Sequence, residues 1–250
     1  MRTAHSTTGQ RSEPAAAGAA HANLEPVLLL ASPGPETDLL MRLLDHHPAV
    51  HAKGDVFPAP SGPDETYESS LASFAAAASQ DAALSLRRNT ARPLRFAFAT
   101  VDPCGAIPID SVIAAAPDVK LLCMLRDGRD IVAGDARSPS TLIERTNAWI
   151  RTLRAAMRAK ELRGDAVKFV RYEDLVLETT RAFAGICRWL GIAGDAAHVH
   201  GAIEACRIRL AAAVRPGAWR TKLTEGDRIA FKRIAGELLI ELGYEQDLRW

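Results

Sequence analysis

The sequence predicts an α/β fold with a central parallel sheet and helices on both faces. Three observations carry this. Nearly continuous apolar runs at 27–31 and 119–125 read as strands buried on both faces, as in parallel sheets. Stretches with apolar residues at helical spacing alternate with such runs. The strand-like runs lead into turn-forming or charged residues, at the edge where such sheets bind ligands.

Taken in order, 27–31 is the first strand, and Leu39, Leu40, Leu43 and Leu44 then share one helical face that Pro48 closes. Residues 54–65 form a proline-rich loop, and 67–87 an alanine-rich helix. Residues 95–100 alternate like a strand, and 119–125 reads as a central one. Leu142, Trp149, Leu153 and Met157 predict a helix over 141–160, with another strand at 166–171. Phe183, Ile186, Cys187 and Leu190 make a further helical stripe, stopped by Gly191. Residues 207–222 read as an irregular basic segment, and the last helix runs from about Glu225 to Gly243.

A chain of 250 residues has room for one α/β domain, and no repeat or linker divides it. Residues 1–25 are rich in Ala, Ser, Thr and Gly without an apolar core. They read as a disordered tail, leaving 26–250 as the domain. A formal net charge of +1 gives no electrostatic case for nucleic acid or an anionic membrane, so any anion site is local. No apolar run is long enough to span a bilayer. Cys104, Cys123, Cys187 and Cys206 show no close pairing, which points to reduced thiols and a cytoplasmic protein.

Three stretches carry chemistry. The first, VLLLASPGPETDLLMRLL (27–44), is a strand, a turn and a helix, the arrangement that offers backbone N–H groups to a phosphate. It lacks the lysine and glycine spacing of a Walker loop. Pro35 followed by Glu36 and Asp38 also fits a plain helix N-terminus, the reading that the loop taken alone favours. The second, LLCMLRDGRDIVAG (121–134), puts two arginines at the sheet's carboxyl edge. Arg126 can grip a phosphate bidentately while Asp127 or Asp130 caps the next helix or orients an arginine; a ligand-free Arg–Asp network is the alternative. The third, VKFVRYEDL (167–175), places Tyr172 against a ligand or in the core, with Glu173 or Asp174 bracing the neighbouring loop. His46, His47 and His51 suggest a metal only weakly, because Pro48 breaks the helix that would align them, and no metal is expected.

Together these stretches resemble the sulfotransferase family, particularly its bacterial branch. The first is similar to that family's strand–PxSGTT–helix loop and the "LLxxHP" that follows, here Leu43-Leu44-Asp45-His46-His47-Pro48. The second resembles its "LRDPRD" element and the third its "RYEDL…FLG" element, while RPGAWRTKL (215–223) is similar to its late basic segment. The resemblance spans roughly 26–244. It implies a three-layer P-loop-like fold and sulfuryl transfer from 3′-phosphoadenosine 5′-phosphosulfate (PAPS) to a hydroxyl or amine of a small-molecule or carbohydrate acceptor.

The resemblance also implies roles for single residues. The loop of Gly34, Pro35, Glu36, Thr37 and Asp38 would hold the 5′-phosphosulfate. Arg126 would contact the 3′-phosphate, together with the position of the family's serine, here Gly134. Tyr172 would approach the adenine, Arg215 with Gly217 would close over the 3′ side, and Asp55 would be the base. The loop departs from the family pattern. Gly34 stands for a basic residue, Pro35 for serine, Glu36 for glycine and Asp38 for threonine, and Pro35 brings no N–H. At an effective dielectric near 20, an acid about 5 Å from an anionic charge costs roughly 3 kcal/mol before screening. That is about a hundredfold in affinity. A non-catalytic relative that binds a ligand or partner, or an enzyme using another donor, is therefore the alternative expectation.

Overall fold

In the computed structural model, residues 25–31, 35–52, 64–84, 95–101, 108–134, 140–192, 196–212 and 215–250 are described. The tail over 1–24, Gly34, Lys53, Asp55, Cys104 and most of the 100–105 turn lie outside them.

Five strands among the described residues form one sheet in the order β2-β3-β1-β4-β5, with every pairing parallel. They are β1 (Glu25–Leu30), β2 (Val50–His51), β3 (Phe96–Val101), β4 (Lys120–Leu125) and β5 (Val167–Arg171). Strand β1 lies between β3 and β4. The chain leaves it on one side to build β2 and β3, then crosses to the other for β4 and β5. That reversal opens a crevice beyond the carboxyl ends of β1 and β4, where open α/β sheets bind ligands.

Alternation along the strands sorts the helices into layers. Val27 and Leu29 of β1, with Leu122 and Met124 of β4, face α1 (Pro35–Asp45), α6 (Tyr172–Leu177), α7 (Thr179–Leu190) and α8 (Ala196–Ala212). Leu28, Leu30, Leu121 and Cys123 face α2 (Tyr67–Leu84), α3 (Ile109–Ala115) and α5 (Leu142–Arg163). A third cluster joins α4 (Gly128–Gly134), α5, α9 (Trp219–Lys222) and α10 (Glu225–Glu241) around Trp149, Trp219 and Phe231. The molecule is thus a three-layer, P-loop-like α/β fold, as the strand patterning predicts.

The long helices begin where the sequence provides caps. Thr141 and Glu144 exchange hydrogen bonds in a capping box before α5, and Thr224 and Asp227 do the same before α10. Gly191 ends α7 in the left-handed conformation. The expected irregular basic segment at 207–222 needs correction. Helix α8 continues to Ala212 and α9 covers Trp219–Lys222. The run RIRLAA is made largely of strong helix formers, which outweighs its charge.

Cys123, Cys187 and Cys206 are buried and unbridged, and burial pushes the Cys123 thiol up to about 12. Among the described residues no helix is long and apolar enough to cross a membrane.

Candidate functional site

The site is built where β4 and β5 end. Their parallel register pairs Leu125 with Arg171, so the next residues, Arg126 and Tyr172, emerge side by side. Both continue the parity of Met124 and Val170, which face the α1 layer. The Arg126 guanidinium lies 4.5 Å from the Tyr172 ring centre, a cation–π distance, and the two side chains are only 6 % and 3 % exposed. Sequence reasoning proposed each residue separately; the structure brings them into contact.

The Arg126–Asp127 backbone is fixed from two sides. Trp149 Nε1–H on α5 donates to the Arg126 carbonyl at 3.1 Å. Glu173 Oε1 accepts from the Asp127 N–H at 3.0 Å, and its Oε2 accepts from the Tyr244 hydroxyl at 3.2 Å. Glu173 thus braces the neighbouring strand end, one of the roles expected for it. Burial raises the Glu173 carboxyl above the usual range, and the Asp127 N–H bond offsets this in part.

Asp127 caps α4 and orients an arginine at once. Its Oδ1 accepts from the Arg129 backbone N–H at 2.9 Å and from Arg129 Nε at 3.0 Å, and Oδ2 accepts from Nη2 at 2.7 Å. Arg129 Nη1 also pairs with Glu245. Its guanidinium sits 4.0 Å from the Trp219 ring centre and 4.5 Å from that of Trp250. Arg129 is 2 % exposed and belongs to the Arg–Asp network, while Arg126 follows the end of β4. Its two carboxylate partners outweigh burial and hold its pKa above the ordinary arginine value.

Gly128, where the family's LRDPRD element has proline, makes room for Trp149. A Cβ there would come within 2.6 Å of the indole ring. Gly134 ends α4, eight residues after Arg126, and a Cβ added to it would meet nothing within 4 Å. Arg215 is exposed, and Gly217 turns the chain at a φ of 84°.

Of the loop after β1, the backbone from Pro35 starts α1, at the crevice. Thr37 is half-buried. Asp38 reaches along the helix to Arg42, with oxygens 3.1 and 3.2 Å from its Nε, and both side chains are about half exposed. Arg42 is thereby committed to an acid of its own helix. Arg220 lies 4.7 Å from the Trp219 ring centre. His47 is buried and its Nδ1 accepts from the Ala49 N–H at 3.1 Å, a structural role in the turn after α1. Among the described residues no group of three or more His, Cys, Asp or Glu is placed to hold a metal ion.

Sequence reasoning missed the partners of Asp130 and Glu245, because their contacts join segments far apart in the chain. The adjacent acid and arginine residues of RDGRD were the available signal, and they gave the network but not its distant ends.

Comparison with known proteins agrees with this architecture. The family model described as "Sulfotransferase family" matches residues 26–196, from β1 to the start of α8. Among solved structures, the chain is similar to a sulfotransferase domain from the curacin biosynthetic pathway, with TM-score 0.56 and 14% identity over 86% of this chain and 97% of that one. A mouse sulfotransferase complexed with PAP aligns with TM-score 0.56 and 12% identity, over 86% of this chain and 84% of that one. A sulfotransferase from Mycobacterium avium aligns with TM-score 0.54 and 14% identity, over 87% and 76%. At such identities these likenesses show the fold alone. The sequence has no match among curated proteins. Because the family match takes in more than half of its residues, including both strand ends that build the crevice, this chain belongs to the sulfotransferase family.

Proposed function

We propose that the protein transfers a sulfuryl group from PAPS to a hydroxyl or amine of a small-molecule or carbohydrate acceptor. The observation that carries this is the Arg126–Tyr172 pair, 4.5 Å apart just beyond the carboxyl ends of the neighbouring strands β4 and β5. A buried guanidinium held flat by an aromatic face is a preorganised phosphate ligand, because its donors already lie in one plane. The donor supplies the sulfuryl group and leaves as adenosine 3′,5′-bisphosphate.

The chain's own residues divide the work. Arg126 meets the 3′-phosphate with paired N–H donors. Tyr172 holds that guanidinium on its ring. The N-terminus of α1 directs backbone N–H groups and the positive end of its dipole at the 5′ side, with one donor missing at Pro35. Asp55 takes the acceptor proton. Asp38 interferes less with an anion than its place in the sequence suggests, because its carboxylate is neutralised by Arg42 and half exposed.

The test is direct. Purified protein is incubated with PAPS and a panel of alcohols, phenols, amines and oligosaccharides, and products are followed by mass spectrometry. A product heavier by one sulfuryl group, lost in Asp55→Asn, is expected. Donor left intact with every acceptor, by a protein that still binds adenosine 3′,5′-bisphosphate, would favour a non-catalytic relative.

A further inference from the structure

Asp130 is 1 % exposed, yet neither of its carboxylate oxygens serves its own helix. Oδ2 accepts from the Gly217 N–H at 2.7 Å and Oδ1 from the Trp219 N–H at 2.8 Å, 87 and 89 residues further along the chain. The turn so gripped is the one bearing Arg215, and its φ of 84° at Gly217 is a conformation that a residue with a Cβ adopts only with strain. The preceding residue, Arg129, stacks on the Trp219 ring of the same segment at 4.0 Å. The first turn of α4 therefore holds residues 217–219 by backbone and by side chain.

We infer that Asp130 is a positioning residue for recognition of the nucleotide's 3′-phosphate. It ties the 215–219 turn to the helix that directly follows Arg126, so that Arg215 and Arg126 ride on one frame. The inference rests on the donor reading above and deepens it. The Gly217 N–H is already committed to Asp130, and Pro216 has none. The turn therefore acts on an anion through the Arg215 side chain and its remaining amides, and Gly217 serves by its backbone angle. A carboxylate receiving two N–H bonds makes a strong anchor, because charged acceptors bind more tightly than neutral ones.

The test compares two nucleotides that differ only in the 3′-phosphate. Calorimetry on the wild-type chain is expected to show tighter binding of adenosine 3′,5′-bisphosphate than of adenosine 5′-monophosphate. Asp130→Asn keeps one acceptor but turns an amide N–H₂ towards the second backbone N–H. It is expected to lose about tenfold of that preference while binding the monophosphate as before. An unchanged preference, an equal fall for both ligands, or a gain in bisphosphate affinity from removing a nearby negative charge would each overturn the role of Asp130. Hydrogen exchange on the wild-type chain without nucleotide provides a second readout that needs no variant. The Gly217 and Trp219 amides are expected to exchange slowly, and fast exchange would refute the anchor. A wild-type chain with slow amides but no preference for the bisphosphate would overturn the 3′-phosphate role together with the donor reading. A wild-type preference retained in Asp130→Asn would overturn the role of Asp130 alone.

Discussion

Arg126 and Tyr172 occupy the positions just beyond the last paired residues of β4 and β5, and the guanidinium rests 4.5 Å from the ring centre. Parallel pairing brings them together without any direct sequence relationship. Backbone bonds from Trp149 and Glu173 then keep the strand end in place.

Gly128 is required by its neighbour. Gly128→Ala drives a Cβ to within 2.6 Å of the Trp149 ring, and the indole cannot retreat without giving up its bond to the Arg126 carbonyl. Overpacking of this kind costs about 1–3 kcal/mol. Thermal unfolding is expected to show a Tm lower by several degrees. An unchanged Tm in Gly128→Ala would contradict the contact.

Arg129 neutralises Asp127 and Glu245 inside the molecule and packs against two indoles, those of Trp219 and Trp250. Removing it leaves two carboxylates near the core without their cation. Breaking a buried pair from one side costs about 3–5 kcal/mol. Urea denaturation of Arg129→Ala is expected to show a loss of that size, and a loss under about 1 kcal/mol would place the pair among ordinary surface bridges.

Glu173 makes stability depend on pH. Burial raises its pKa in the folded chain above the usual glutamate value of about 4.3. The folded protein therefore holds this proton more tightly than the unfolded one. The contribution is full below the ordinary value and is lost as the pH rises through the raised one. Glu173→Gln still offers an oxygen to the Asp127 N–H and does not ionise. Its stability relative to wild type should improve as the pH rises from below the ordinary glutamate value through the raised one, and then level off. Parallel curves for the two proteins would rule this out.

The loop at the start of α1 can be repaired. Gly34→Arg with Glu36→Gly restores a cation and removes an acid, and should tighten adenosine 3′,5′-bisphosphate binding about tenfold or more. Asp38→Asn should change it less than about threefold, because that carboxylate is half exposed and paired with Arg42. A larger effect from Asp38 than from the double variant would reverse the assignment.

Much of the fold is legible from the chain itself. Leu121, Leu122 and Cys123 are fully buried and Met124 and Leu125 nearly so, which is what a continuous apolar run predicts for a central strand. Helix α3 is only seven residues long and β2 only two, too short for a periodic signal to emerge. Of the site, Arg126 and Tyr172 stand out as charged and aromatic residues directly after strands. The bonds of Asp130 to Gly217 and Trp219, and of Arg129 to Glu245, go unseen, because no local pattern encodes contacts between segments so distant in sequence. Glu36 and Asp38 look alike in the sequence, yet the weight of Asp38 depends on Arg42 one helical turn away.

Isothermal titration of the wild-type chain, Arg126→Ala and Arg126→Lys with adenosine 3′,5′-bisphosphate tests the proposed contact of Arg126 with a 3′-phosphate. Wild-type binding is expected to weaken about 10–100-fold in Arg126→Ala, as for a charge-assisted hydrogen-bonded pair. Lysine should recover little of it, because an ammonium lacks the planar fork. No heat of binding at millimolar nucleotide, or equal affinity in wild type and Arg126→Ala, would show that Arg126 does not hold the 3′-phosphate.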